Sequence, residues 1–304
     1  MTWKTLLACT AATGVLVFST PADAQFGCPS GPAPENWSAP YPPHRIIGPV
    51  YSVGSAELSV FLVATSDGHI LVNTGIADSA AWIRDNVESL GFRFDDIRIL
   101  LTMQAHYDHA AALADIKALT GAEVWATTGD TPILESGGVD DPHLGRCEAF
   151  RFAPVDVDRQ LTDGSVIELG DVELRVLDHA GHTMGSSSYV MSVEEGGRTY
   201  QVAMVNMASI NPGKRLLVDP TYEGIADDFA ATFRSQKALK VDIWLAAHAS
   251  QYARGRKHSR GQAYSPGSFV DPEGYRLKIA RYESSFREQL QREMATARDR
   301  GRLE

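Results

Sequence analysis

Ile97-Arg-Ile-Leu-Leu-Thr-Met-Gln-Ala-His-Tyr-Asp-His109 is the stretch on which the reading of this chain turns. Ile97 to Met103 is a short apolar run of the kind that forms a buried strand. Ala110 to Leu119 reads as a helix that stops at Gly121, where a glycine can adopt the left-handed conformation that ends a helix. Gln104 to His109 therefore falls on the turn between a strand's end and a helix's start. Side chains in such loops project from one edge of a sheet, so residues far apart in sequence can converge there.

Outward from this turn, Ile46 to Val53, Leu58 to Thr65 and His69 to Asn73 read as an antiparallel meander, followed by a helix over Ser79 to Leu90 that ends at Gly91. Beyond it, strands are predicted at Glu123 to Ala126, Ser165 to Leu169, Val172 to Asp178, Ser187 to Ser192, Thr199 to Val205 and Val241 to Ala246. Helices are predicted at Asp227 to Ala238 and from about Pro272 to Met294. Strands and helices recur in both halves, which suits two packed sheets with helices outside, an α/β architecture.

Two further clusters follow predicted strands: Gly181-His182-Thr183-x-Gly185-Ser186 and Ala247-His248-Ala249. Imidazole and carboxylate are good zinc ligands, and a catalytic zinc uses about three protein ligands with one position open for water. His106, Asp108, His109, His182 and His248 are too many for one such ion and natural for two. Two ions about 3.5–4 Å apart can share a hydroxide formed near neutral pH. A lone histidine is more often a buried, hydrogen-bonded side chain, and His44, His69, His143, His179 and His258 are read that way. His179 points away from His182 if both lie on a strand, so it is read as structural or supporting.

Gln104-x-His106-x-Asp108-His109, close to HxHxDH, with a later GHTxGS and a late histidine, resembles the metallo-β-lactamase superfamily. The resemblance runs from about Ile46 to the final helix. It implies an αβ/βα four-layer sandwich with two zinc ions at one edge. The ligand set resembles subclass B3 enzymes: Gln104, His106 and His182 at the first site, and Asp108, His109 and His248 at the second. Glutamine in the first position, with Met207 and the following Ala-Ser-Ile-Asn-Pro, is similar to the Gln-type group known as GOB. An amide oxygen is a weaker zinc ligand than imidazole, so the first site is expected to bind less tightly. A second departure is Asn73-Thr74-Gly75, where Asp-Gly-Gly is common.

The resemblance implies hydrolysis of the β-lactam amide bond by metal-bound hydroxide, hence antibiotic resistance, with Asp108 orienting the hydroxide and no covalent acyl-enzyme. Ser209 and Asn211 would meet the substrate carboxylate, and the arm around Trp37 and the Ser136-Gly-Gly-Val loop would line the cleft. The bridging aspartate of glyoxalase II and many lactonases of this fold follows a strand that here ends Val205-Asn206-Met207, which favours the lactamase branch. The alternatives are a lactonase or thioesterase of the same fold and a non-catalytic zinc-binding protein.

Composition sets the surroundings. The 304 residues are 44% hydrophobic and carry a formal net charge of −10, which disfavours nucleic acid as a partner. The one basic run, Arg254-Gly-Arg-Lys-His-Ser-Arg260, is read as a solvated loop. Residues 1–24 read as a cleaved signal peptide, with Lys4, an apolar stretch from Thr5 to Phe18 and an Ala22-Asp-Ala24 cleavage site. Residues 25–304 are then expected to form a single domain in the periplasm or outside the cell, with neither a membrane anchor nor an obligate protein partner. Cys28 and Cys147 remain after cleavage and could pair in an oxidising compartment.

Overall fold

The computed structural model describes Cys28 and residues 33–299; the expected signal peptide lies outside the described residues. Seven strands form the first sheet in sequence order: β1 (His44–Ile47), β2 (Val50–Ser52), β3 (Phe61–Thr65), β4 (Gly68–Val72), β5 (Ile97–Leu101), β6 (Glu123–Thr127) and β7 (Arg159–Leu161). β1 to β4 form the expected antiparallel meander, and β4 to β7 pair in parallel. The second sheet runs β12 (Ile243–Ala246), β11 (Arg198–Val205), β10 (Ser187–Glu195), β9 (Val172–Asp178), β8 (Val166–Leu169). The helices are α1 (Ser79–Ser89), α2 (Tyr107–Ala110), α3 (Leu113–Thr120), α4 (Thr131–Glu135), α5 (Ile225–Ala238), α6 (Arg254–Lys257) and α7 (Pro272–Asp299).

Period-2 burial explains the stacking of the sheets. Along β9, Val172, Leu174 and Val176 are buried while Glu173 and Arg175 are exposed. Those inward residues join Phe61, Val63, Ile70, Ile99 and Leu101 of the first sheet and Tyr189, Met191 and Val202 of the second in one core. The opposite face of the first sheet, through Leu62, Leu71, Leu100 and Val124, buries Ile83 and Val87 of α1 and Leu113 and Ile116 of α3. Phe229 and Phe233 of α5 pack on Phe286 of α7, with ring centroids 5.7 and 5.6 Å apart. Each such buried ring contributes about 1.5–3 kcal/mol. Helices thus flank two face-packed sheets, the αβ/βα sandwich.

Three readings are corrected. Ile46 to Val53 is not one strand: Gly48, at φ 48°, turns the chain and makes a hairpin of β1 and β2. The helix after the ligand turn breaks into α2 and α3 because another loop claims its backbone. The His109 carbonyl accepts the Thr74 N–H at 2.8 Å, and the Ala111 N–H donates to Gly75 O at 3.2 Å. The basic run is not wholly solvated. Arg254 is 2% exposed and donates to the carbonyls of Ser55 and Ala56, while Lys257 pairs with Asp271 at 2.9 Å. Sequence reading also missed β7 and the short helices α4 and α6.

Candidate metal centre

The ligand turn is held from below by the Asn-Thr-Gly segment. Asn73 sits at φ 66°, a left-handed conformation that asparagine tolerates better than most residues. Its Oδ1 accepts the Met103 N–H at 2.9 Å and its Nδ2 donates to Ser59 O at 3.1 Å, so the amide links the segment entering β3 to the segment leaving β5. Thr74 grips His109 through both N–H and hydroxyl. The departure from Asp-Gly-Gly therefore keeps a supporting role, with a neutral amide as the brace.

The three sequence clusters converge. Asp108 Oδ2 lies 3.1 Å from His109 Nε2 and 3.2 Å from His248 Nε2, and the two imidazole nitrogens are 3.2 Å apart. The ligand atoms of these three residues all lie within 4.8 Å of one another. Gln104, His106 and His182 line the same cleft, with the His106 and His182 rings 4.8 Å apart. The Gln104 side-chain oxygen is buried and has no hydrogen-bond partner. Buried acceptors are rarely left so, and a cation is the natural complement to an orphaned oxygen beside two imidazoles. Both donor sets fit zinc.

Electrostatics favour positive charge at the second set. Burial pushes the Asp108 carboxyl up, but His109 and His248 outweigh it and hold it well below the usual carboxylate range. Burial alone would lower His248, yet Asp108 and Glu57 raise it to about 9. Burial holds His109 down despite Asp108, and holds His182 far down with help from His106 and Lys214. Both rings are thus neutral, the form a metal ligand must take.

Further side chains hold these groups, none of them marked by the sequence motif. The His182 Nδ1 lies 2.7 Å from Ser209 O and 3.0 Å from its hydroxyl, so Ser209, expected to meet substrate, also orients a ligand. Lys214, buried, donates to the His182 carbonyl. Asp130, immediately before α4, accepts the N–H of Ala105 at 2.8 Å, the Thr183 hydroxyl at 2.9 Å and the N–H of Gly185 at 2.9 Å, tying the first and second clusters together. His179 bonds Ser188 and Ser235 and does not join the cleft.

The cleft measures ≈ 290 Å³. Trp37, Leu144, Phe150, Met207 and Pro212 supply apolar walls, and Ser209, Asn211, Asn206 and Gln251 supply polar groups; among the described residues the lining contains no lysine or arginine. Ser209, Asn211 and Trp37 all line this cleft. The other wall comes from Leu144 and Phe150 rather than from Ser136 to Val139. Asn206, an amide, lines the cleft at the end of β11, and its buried Nδ2 has no hydrogen-bond partner.

Comparison with known proteins agrees with this geometry. The family model described as Metallo-beta-lactamase superfamily matches residues 57–196. Among solved structures, a beta-lactamase from Chitinophaga pinensis is 40% identical, with TM-score 0.83, over 85% of this chain and 97% of that one. The class B3 di-zinc metallo-beta-lactamase LRA-12 from an Alaskan soil metagenome is 39% identical, with TM-score 0.82, over 87% and 100%. GOB-18 from Elizabethkingia meningoseptica is 37% identical, with TM-score 0.83, over 89% and 100%. A curated relative, hydroxyacylglutathione hydrolase of Rhodospirillum rubrum, is 30% identical over 34% of this chain; the match spans only 31% of that protein's length. On its ligand pattern, its stacked sheets and its likeness along most of its length to subclass B3 structures, this chain belongs to the metallo-β-lactamase superfamily.

Proposed function

We propose that the chain is an exported zinc-dependent β-lactamase that binds two zinc ions, the first through Gln104, His106 and His182 and the second through Asp108, His109 and His248. The observation that carries this reading is the pairing of two adjoining donor sets with a compact cleft whose polar lining offers amides and a hydroxyl. Zinc, when bound, supplies a Lewis acid for a carbonyl oxygen and lowers the pKa of water to about 7.

The chain's own groups do the rest. Trp37, Leu144 and Phe150 exclude water and pack the body of the substrate. Asn211 and the Asn206 amide donate hydrogen bonds to the substrate's carboxylate or carbonyl, and Ser209 divides its hydroxyl between substrate and His182. Asp108, held ionised, accepts a hydrogen bond from the attacking water and keeps that water turned toward the carbonyl. No serine or cysteine nucleophile is required, so no acyl-enzyme forms. The Cys28–Cys147 disulfide supports export into an oxidising compartment.

A second reading, thioester hydrolysis, is favoured by the hydroxyacylglutathione hydrolase relatives. Against it stands the amide of Asn206 at the end of β11. The deciding test is hydrolysis of a penicillin, a cephalosporin, a carbapenem and a hydroxyacylglutathione by the mature protein, with added zinc and with chelator. Chelator-sensitive cleavage of β-lactams is the expected result; cleavage of the thioester alone would replace the proposal with the second reading.

A further inference from the structure

Asn211-Pro-Gly-Lys214 is a tight turn in the long loop between β11 and α5. Proline in its second place and Gly213 at φ 86° in its third suit a type II β-turn, and the Lys214 N–H closes it on the Asn211 carbonyl at 3.1 Å. Asn211 and Pro212 line the cleft, and they also line a second groove of ≈ 490 Å³ between this loop and α7. The turn is thus a partition with open space on two sides. Such a partition keeps its place only if its base is fixed.

The base is fixed from α7. The Gln289 Nε2 donates to the Lys214 carbonyl at 2.7 Å and to Glu293 Oε1 at 2.9 Å. The other oxygen of Glu293, Oε2, accepts the N–H groups of both Leu216 and Leu217 at 2.8 Å. Residues four apart on a helix lie on one face, so both side chains reach the same stretch of backbone. Bonds to a carboxylate are also stronger than those to a neutral acceptor. By contrast, the bonds between Arg215 and Thr221 stay within the loop, stiffening it without tying it to the body.

We infer that Gln289 and Glu293 are positioning residues that set how far the Asn211 turn reaches into the cleft, and thereby how well substrate is held. This rests on the reading of Asn211 as a substrate contact. The pair acts on binding and not on the centre where bonds change, because His182 has its own supports in Ser209 and in Lys214 Nζ. Freed from α7, the turn can withdraw toward the second groove, and Asn211 leaves the substrate.

Two alanine variants and one conservative variant separate this role from folding. Gln289→Ala cuts the bond to Lys214 and leaves Glu293 on the loop. Glu293→Ala removes the anchor of Leu216 and Leu217, while Glu293→Gln keeps an oxygen to accept their N–H groups. Neither position is buried, and alanine favours the helix.

The experiment measures kcat and KM for a penicillin, zinc content, and exchange of the Lys214 amide by NMR in zinc-depleted protein. In both alanine variants KM should rise roughly threefold to tenfold, the worth of about one hydrogen bond, with kcat and zinc content unchanged. The Lys214 amide should exchange faster in both, and Glu293→Gln should recover most of the loss. A KM within about twofold of wild type in the alanine variants would overturn the inference. So would a kcat that falls while KM holds, the mark of a structural role alone. A wild type that cleaves no β-lactam would instead sink the β-lactamase reading. The pair is then judged with the hydroxyacylglutathione or, if that too is untouched, by the Lys214 amide, whose unchanged exchange would overturn the inference.

Discussion

Gly185→Ala tests the junction on which the proposed first metal site depends. A Cβ at Gly185 would sit less than 3 Å from Asp130 N, Thr127 Oγ1 and Gly129 C, two of which are backbone atoms that cannot rotate aside. Gly129 is equally confined, since a Cβ there would press on the carbonyl of Met184. The two segments touch backbone to backbone, and the extra methyl must part them. Overpacking of this kind costs about 1–3 kcal/mol. Separation also stretches the Gly185 N–H bond to Asp130 and the Thr127 hydroxyl bond to Gly185 O, each worth about 1 kcal/mol. The sum is about 4 kcal/mol, which at about 2 °C per kcal/mol lowers the melting temperature by about 8 °C. Thermal unfolding followed by circular dichroism reads the stability, and dialysis against zinc reads the first site, whose two halves move apart. A melting temperature within about 2 °C of wild type would refute the reasoning, because it would mean the segments part at little cost.

Three other outcomes follow from the same geometry. Asp108→Ala removes the carboxylate that faces both His109 and His248, and should cut turnover and second-site affinity by roughly 100-fold or more, beyond the loss of an outer partner; near-normal turnover would sink the assignment. Gln104→His replaces an unpartnered amide oxygen with imidazole and should tighten the first site by roughly tenfold, about 1.4 kcal/mol, in competition with a chromophoric chelator. Unchanged affinity would remove Gln104 from the ligand set. Burial lowers His179 from 6.5 to about 4, so folding favours its neutral form. That contribution is complete above pH 6.5 and is lost as pH falls toward 4, about 3 kcal/mol in all. Urea unfolding between pH 7 and 4.5 should therefore fall less steeply for His179→Gln than for wild type; parallel curves would show that His179 does not titrate in this way.

The proposed ligands stood out in the sequence because each cluster is local and follows a strand whose apolar pattern marks its end. His106, Asp108 and His109 fall within four residues, and the alternation Val172-Glu-Leu-Arg-Val176 and the stop at Gly121 are equally short-range signals. The geometry that supports those ligands was not legible. Asp130 and Glu57 are carboxylates in stretches that carry no metal motif, and each matters through a residue far away in the chain. The pairing of Cys28 with Cys147 spans 119 residues. The break between α2 and α3 was invisible in a continuous helical pattern, because it is made by Thr74 and Gly75 claiming backbone groups from another loop. Periodicity reports which face of an element is buried and where the element stops. Which buried carboxylate meets which imidazole depends on how two sheets stack and what their loops bring to one edge, and only the tertiary structure decides that.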